Sequence, residues 1–147
     1  MSFDIVICLG PNDKNIILKQ IEYTKKNILK YRHIYIISFD STLLYKKCIT
    51  IDENIFPFTI NDVVKYHGLS NRNGWYLQQL LKLYAGIIIP NILDTYLVID
   101  ADTFFLKPTT FIQDTKCLYN FGTEYYNKYF EHMNKLHLSL TKYDNKK

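Results

Sequence analysis

Two carboxylates that lie close together in the sequence stand at the end of an apolar run. Asp100 and Asp102 follow the segment "TYLVI", residues 95–99, and precede the segment "TFFL". A charge placed beside an apolar core needs compensation. Carboxylates at positions i and i+2 after a buried strand can both reach one hard divalent cation, and Mg²⁺ and Mn²⁺ prefer oxygen ligands and phosphates. The pattern indicates a metal site, with two solvated aspartates at a strand end as the alternative.

Other polar groups, earlier in the chain, suit an anionic ligand. Arg72, one of only two arginines, lies in the loop "GLSNRNG", and its planar guanidinium is well shaped for phosphate. An exposed surface arginine is the alternative. Gln78 and Gln79 are adjacent on a predicted helix, so only one of them can face a given site. Trp75, at the start of the same helix, is expected to pack in the core or against a helix.

The pattern of strands and helices decides how these groups are positioned. Apolar, β-branched runs alternate with segments of helical periodicity, which predicts an α/β Rossmann-like layered domain with a mainly parallel sheet. The run at 95–99 is typical of a central strand covered on both faces. Because ligands bind beyond the carboxyl ends of parallel strands, the loops at 10–13, 40–41 and 100–102 should converge. The predicted strands are residues 3–9, 33–39, 47–51, 95–99, 103–106 and 117–121, and the predicted helices are 16–29 behind a cap at Asn12 or Asp13, 60–67 behind a capping box of Thr59 and Asp62, 75–86 and 124–138.

The composition is that of one folded domain. The chain has 147 residues, 48% of them hydrophobic, and we assign residues 1–140 to the domain and 141–147 to a polar tail. The net charge of +4 is spread along the chain without the dense basic cluster of a nucleic-acid-binding protein. The three cysteines show no metal or disulfide spacing. No signal peptide pattern and no apolar run of roughly 20 residues is present, so we expect a cytoplasmic protein without a membrane span.

Three segments in a fixed order resemble a known family. The segments "GWYLQQLLKL", "YLVIDADTFFLKP" and "GTEYYNKYFEHM", together with "DEN" at residues 52–54, are similar to those of GT-A-fold, nucleotide-sugar-dependent glycosyltransferases, glycogenin-like and related proteins. The resemblance covers about residues 3–138. It implies the nucleotide-binding half of that fold. It also implies transfer of a sugar from a nucleoside diphosphate donor to an acceptor, with UDP-sugars favoured over GDP-sugars.

The resemblance assigns a role to individual residues. It makes Asp100 and Asp102 ligands of Mn²⁺ (or Mg²⁺) and of the donor diphosphate, with Asp102 the direct metal ligand. It places Lys82 at the diphosphate or donor sugar, where an ammonium is apt as a point charge, although an exposed helix lysine is the alternative. The remaining positions that it assigns to the donor are Gly10, Pro11 and Asn12 beside the base, Ala101 beside the ribose, and Glu124 with Tyr126 near the sugar.

The resemblance leaves two function classes open. Members of the family continue beyond the segment that matches "YFEHM", and that second part supplies the acceptor contacts. The first class is therefore an enzyme whose acceptor site is completed by a second copy or by a partner chain. The second is a truncated, catalytically inactive nucleotide-sugar-binding module.

Overall fold

A four-stranded parallel sheet forms the centre of the fold. The computed structural model describes residues 2–119 and 126–140. The strands are β1 (Phe3–Leu9), β2 (Tyr31–Ser38), β3 (Ile49–Asp52) and β4 (Tyr96–Asp100), and their order across the sheet is β3-β2-β1-β4. All three pairings are parallel. The prediction of an α/β, Rossmann-like layered domain with a mainly parallel sheet is confirmed.

Strand β1 is the best covered strand of the sheet. All seven of its residues are buried, and it pairs with β2 on one side and with β4 on the other. The prediction that residues 95–99 form the covered central strand was wrong. Among the described residues β4 pairs only with β1, and Tyr96, Leu97 and Val98 are half-buried. A run of apolar residues alone does not distinguish a strand that pairs on both sides from a strand that pairs on one side.

The two faces of the sheet carry two apolar clusters. Because side chains alternate along a strand, Ile5 and Ile7 of β1 point to one cluster and Val6 and Cys8 to the other. Helix α1 (Ile17–Asn27) covers the first face. Helices α2 (Ile60–His67) and α3 (Asn73–Ile88) cover the second. The sheet is thus the middle layer of three.

The helix ends are partly as predicted. The capping box before α2 is confirmed, since Thr59 N donates to Asp62 Oδ2 at 2.8 Å. The cap predicted for α1 was wrong. Pro11–Asp13 forms a 3-10 turn, and the N-cap residue of α1 is Ile16, which makes no side-chain cap. Gly10 and Pro11 fix this turn, which delays the start of the helix.

A buried carboxylate ties the amino ends of the strands together. Asp4 of β1 is fully buried and accepts hydrogen bonds from Arg32 Nε at 3.0 Å and from Arg32 Nη2 at 2.6 Å. The backbone N–H groups of His33 and Leu93 also donate to it, at 3.1 and 2.8 Å. Burial by itself raises the pKa of Asp4, but these hydrogen bonds outweigh it and leave the pKa below its ordinary value. This cluster stabilises the sheet at the edge opposite the predicted site.

The segments after β4 depart most from the predictions. The strand predicted at residues 103–106 is absent from the described structure. The strand predicted at 117–121 is confirmed only at Cys117, which belongs to β6 (Lys116–Cys117), the partner of β5 (Ile112–Gln113). Residues 120–121 lie outside the described residues. Helix α4 spans Asn127–Leu136, within the predicted 124–138, and the start of that prediction and the tail 141–147 lie outside the described residues. None of the helices described is long and apolar enough to cross a bilayer.

Candidate functional site

The strand order reverses at the junction of β1 and β4. The chain runs from β1 to β2 and β3 on one side and then returns to place β4 on the other side of β1. In open parallel sheets, ligands bind at such a junction, beyond the carboxyl ends of the strands. The loops 10–13 and 100–102 leave β1 and β4 there, and the loop 40–41 leaves β2 at the same edge. The three loops therefore share one edge of the sheet, as predicted.

A lysine and an aspartate meet at this junction. The register pairs Cys8 with Asp100, so Asp100 stands at the carboxyl end of β4 beside the end of β1. The ammonium of Lys82, on α3, contacts the carboxylate of Asp100. Its Nζ also donates to Gln78 Oε1, one turn earlier on the helix, at 3.3 Å. The Lys82 side chain is 16% exposed and that of Asp100 is 53% exposed. Lys82 is therefore largely buried and contacts Asp100, unlike a solvated surface lysine, and its role at a diphosphate stays a prediction.

The carboxylate of Asp13 is influenced by the two aspartates of the β4 end. Burial raises the pKa of Asp13, and the charges of Asp102 and then Asp100 raise it further. Asp102 is exposed. Within residues 2–119 and 126–140, no group of three or more His, Cys, Asp or Glu side chains could hold a metal ion. The donors that Asp100 and Asp102 offer are carboxylate oxygens only, which is the chemistry that Mg²⁺ and Mn²⁺ prefer.

The segment after the two aspartates is held by helix α1. Gln20 Nε2 donates to the carbonyl oxygen of Thr103 at 3.2 Å, and Asn27 Nδ2 donates to that of Phe105. Thr109 N donates in turn to Asn27 O at 2.6 Å. These contacts occupy backbone carbonyls that a strand would use in a ladder, so residues 103–106 run along the helix and are not a strand.

The residues of α1 that hold this segment were missed from the sequence. Gln20, Thr24 and Asn27 are all buried, and they recur at helical spacing on the face of α1 that also carries Ile17 and Ile21. Buried polar side chains need hydrogen-bonding partners. Three polar residues among the apolar positions of a predicted helix were therefore a readable signal that another segment crosses it.

A cavity of about 650 Å³ opens beside the pair at the carboxyl ends of β1, β2 and β3. The first turn and middle of α3 form one wall, and the loop after β1 forms another. The predicted residues that line it are Gly10, Pro11, Asn12 and Gln78. Gln79 instead lines a second hollow between α2 and α3, so the two adjacent glutamines face different sides, as predicted. The cavity volume falls in the range of small-molecule and cofactor sites.

Trp75 lines the cavity at the start of α3, and Arg72 lies against it. The prediction that Trp75 packs in the core was wrong, because its side chain is 51% exposed and lines the cavity. The guanidinium carbon of Arg72 lies 5.6 Å from the centroid of the Trp75 ring, a cation–π contact. The expected role of Arg72 at phosphate stays a prediction. The helix periodicity placed Leu77 and Leu81 inward, which leaves Trp75 on the side that faces the opening.

The floor of the cavity is Cys8, which is buried as predicted. Burial raises the pKa of its thiol to about 12, and nearby charges adjust it, with Lys82 lowering it and Asp100 and Glu53 raising it. The thiol is therefore protonated at neutral pH and is no nucleophile. The charges of Lys82, Asp100 and Glu53 therefore all influence the pKa of the Cys8 thiol.

The remaining predicted residues lie elsewhere. Ala101, expected beside a ribose, is only 1% exposed, and its side chain packs in the apolar cluster on the α1 side of the sheet. Tyr126 precedes α4 and its ring packs on Tyr129 with the centroids 4.9 Å apart. Glu124 lies outside the described residues.

The fold and the junction define the class of protein, a Rossmann-like α/β domain with a ligand-sized cavity at the reversal of strand order. A family model described as "Family of unknown function (DUF6492)" matches residues 30–144, which is more than half of the chain. The protein belongs to this family. No curated protein and no solved structure matches the chain.

Proposed function

We propose that this protein is a metal-dependent glycosyltransferase of the GT-A type, which transfers a sugar from a nucleoside diphosphate donor to an acceptor hydroxyl. The observation that carries the proposal is the contact between Lys82 and Asp100 at the junction of β1 and β4, next to a cavity large enough for a nucleotide. A cation and a carboxylate side by side suit a ligand that carries phosphate and a divalent metal ion.

In the proposed reaction, the residues around the junction have different roles. Asp100 and Asp102 would hold Mn²⁺ or Mg²⁺ together with the diphosphate. When bound, the metal ion would neutralise the diphosphate and act as a Lewis acid for its departure. Lys82 supplies a fixed positive charge toward the same oxygens. Gln78 orients the Lys82 ammonium through its amide oxygen.

The donor set fits this metal even though it is small. Mg²⁺ and Mn²⁺ sites that bind phosphates commonly use one or two protein carboxylates, with waters and phosphate oxygens completing the shell. Two aspartates at the end of β4 therefore suffice when a diphosphate is present. The hydrogen bonds from Gln20 and Asn27 to the following segment hold the aspartate loop in place, which lowers the entropy cost of binding.

A binding module without turnover is the second candidate. The observation that favours it is the content of the cavity wall, where no described lining residue is a histidine and the Cys8 thiol is protonated. An enzyme whose acceptor site forms between two copies is distinguished from such a module by its concentration dependence. If two copies complete one site, the specific activity should fall when the protein is diluted.

The experiment that tests the proposal is release of nucleoside diphosphate from a panel of nucleotide sugars, with Mn²⁺ or with a chelator. We expect release from one class of donor that requires the metal, and a loss of at least roughly a hundredfold in Asp102→Asn. Asp114→Asn, an exposed aspartate in the turn between β5 and β6, is the matched control and should leave the rate unchanged. Binding without release from any donor would support the binding module, and neither binding nor release would contradict both candidates.

A further inference from the structure

The carboxylate of Glu53 has no role in the proposed binding of metal ion and diphosphate. Glu53 follows β3, begins a 3-10 turn and lines the cavity. Its neighbour Asp52 is occupied by the turn, since it accepts from Asn54 N at 2.9 Å and from Asn54 Nδ2 at 2.8 Å. Among the described residues, no side chain or backbone group forms a hydrogen bond or an ion pair with the Glu53 carboxylate. Burial, and then the charge of Asp52, raises its pKa. A half-buried carboxylate without a partner is costly, and a ligand that donates to it would remove that cost.

Charges of opposite sign lie in and beside the cavity, since Glu53 lines it and Lys82 follows the lining residue Leu81 on α3. Lys82 and Asp100 belong to α3 and β4, whereas Glu53 follows β3 on the far side of the sheet order, with β1 and β2 between them. A carboxylate repels phosphate, and the ammonium of Lys82 attracts it. A nucleoside diphosphate would therefore bind with its phosphates at the Lys82 end and its neutral base at the Glu53 end.

One wall of the cavity suits a flat aromatic ring. Trp75 is half-exposed and lines the same cavity as Glu53. A tryptophan ring offers a stacking surface for any base, and such stacking carries little preference between bases. Preference between bases must therefore come from polar groups of the wall, and Glu53 is the lining carboxylate that follows β3.

The hydrogen-bonding chemistry of a carboxylate separates the bases. An ionised carboxylate only accepts, and its two oxygens match two adjacent donors. Guanine presents N1–H and its exocyclic amino group side by side, whereas uracil presents one N–H between two carbonyl oxygens that a carboxylate repels. We infer that Glu53 reads the base of the donor and selects guanine, so that the donor class is a guanosine diphosphate sugar. This inference depends on the proposed function, because it takes the cavity to be a nucleotide site.

The test measures how tightly the full chain, with Mn²⁺ present, binds nucleoside diphosphates whose bases differ in their number of hydrogen-bond donors. Trp75 is the only tryptophan, so its fluorescence reports a base that enters the cavity, and calorimetry gives the affinity. We expect guanosine diphosphate to bind roughly tenfold to a hundredfold more tightly than uridine diphosphate, with inosine diphosphate, which lacks the amino group, between them. Glu53→Gln offers one acceptor and one donor, which suits uracil, so the preference for guanine should fall by at least roughly tenfold.

The matched control is Glu22→Gln, an exposed glutamate on α1, which should leave the preference unchanged. Equal affinity for the guanosine and uridine nucleotides, or a preference that Glu53→Gln does not alter, would overturn the inference and leave the proposed function standing. Absence of binding by all three nucleotides would overturn the proposed function and the inference together.

Discussion

The ammonium of Lys82 on α3 contacts the carboxylate of Asp100 at the carboxyl end of β4. The pair joins the helix that precedes β4 to the strand end that carries the proposed metal ligands. In the protein without ligand, Lys82 therefore occupies an oxygen atom that a divalent cation would use. If Asp100 binds a divalent cation as proposed, that cation and Lys82 would compete for the carboxylate, and a bound diphosphate would give Lys82 another partner.

This competition predicts opposite effects of one substitution. Lys82→Met keeps the length of the side chain and removes its charge, so the protein should bind Mn²⁺ alone several-fold more tightly and nucleoside diphosphate with Mn²⁺ roughly tenfold more weakly. Calorimetric titration measures both affinities. Lys19→Met, on the exposed face of α1, is the control and should change neither. A Lys82→Met protein in which both affinities fall, or neither changes, would show that the lysine does not exchange partners.

The loop after β1 allows the cavity to be blocked without harm to the fold. Gly10 has φ −92° and ψ 168°, an extended conformation that suits valine, and a Cβ built on it meets no atom within 4 Å. Gly10→Val should therefore unfold at the same urea concentration as the parent protein and bind nucleotide roughly tenfold more weakly or worse. Unchanged affinity in a folded Gly10→Val protein would place the ligand elsewhere.

The spacing between α3 and β4 depends on a glycine. A Cβ on Gly86 would lie 2.8 Å from the Tyr96 hydroxyl and 2.9 Å from a ring carbon of Tyr96. Gly→Ala within a helix normally stabilises by up to about 1 kcal/mol. Here we expect Gly86→Ala to lower the free energy of unfolding by about 1–3 kcal/mol because the helix and strand must separate. Since α3 carries Lys82 and β4 carries Asp100, nucleotide affinity should fall as well.

A double-mutant cycle isolates this contact. Tyr96→Leu removes both of the atoms that the new methyl group would meet, so in this background Gly86→Ala should be neutral or stabilising. Urea unfolding of the four proteins gives the coupling free energy. An identical loss from Gly86→Ala in both backgrounds would show that the tyrosine is not the obstacle.

The buried carboxylate of Asp4 predicts how stability depends on pH. The pKa of Asp4 is lowered in the folded protein, so its stabilisation is present above the unfolded pKa, about 3.9, and is lost as the pH falls through the folded pKa. Asp4→Asn should lower the free energy of unfolding by roughly 1–3 kcal/mol at pH 7. The difference from the parent protein should shrink below about pH 4.

Urea unfolding across this range of pH checks the prediction, with the exposed Asp94→Asn as a control that should follow the parent protein. A difference between Asp4→Asn and the parent that stays constant down to pH 2 would contradict the assigned role of Asp4.

The sequence predicted best those features that depend on local patterns. The strand at Phe3–Leu9 and the capping box of Thr59 and Asp62 were predicted because a continuous apolar run and a reciprocal cap are properties of neighbouring residues. The strand predicted at 103–106 failed because two distant amides, Gln20 and Asn27, bind its backbone. Such long-range hydrogen bonds leave no mark in the segment that accepts them.

In the site as well, features that depend on local patterns were predicted and features that depend on distant segments were not. The position of Asp100 at the end of a strand was readable, and parallel strands made convergence of the loops a matter of topology. The exposure of Trp75, and the lack of a partner for the Glu53 carboxylate among the described residues, depend on how α3 and the turn after β3 lie over the sheet edge. Helical periodicity gives the direction of a side chain relative to its helix, but not what the neighbouring elements leave uncovered.

The central claim is that Asp100 and Asp102 bind a nucleoside diphosphate through a divalent cation. The most direct test is calorimetric titration of the full chain with guanosine and uridine diphosphates, first with Mn²⁺ and then with a chelator. The account predicts that at least one nucleotide binds at least roughly tenfold more tightly with Mn²⁺, and that Asp102→Asn removes this metal-dependent part. Equal affinity with and without the metal ion would contradict the account.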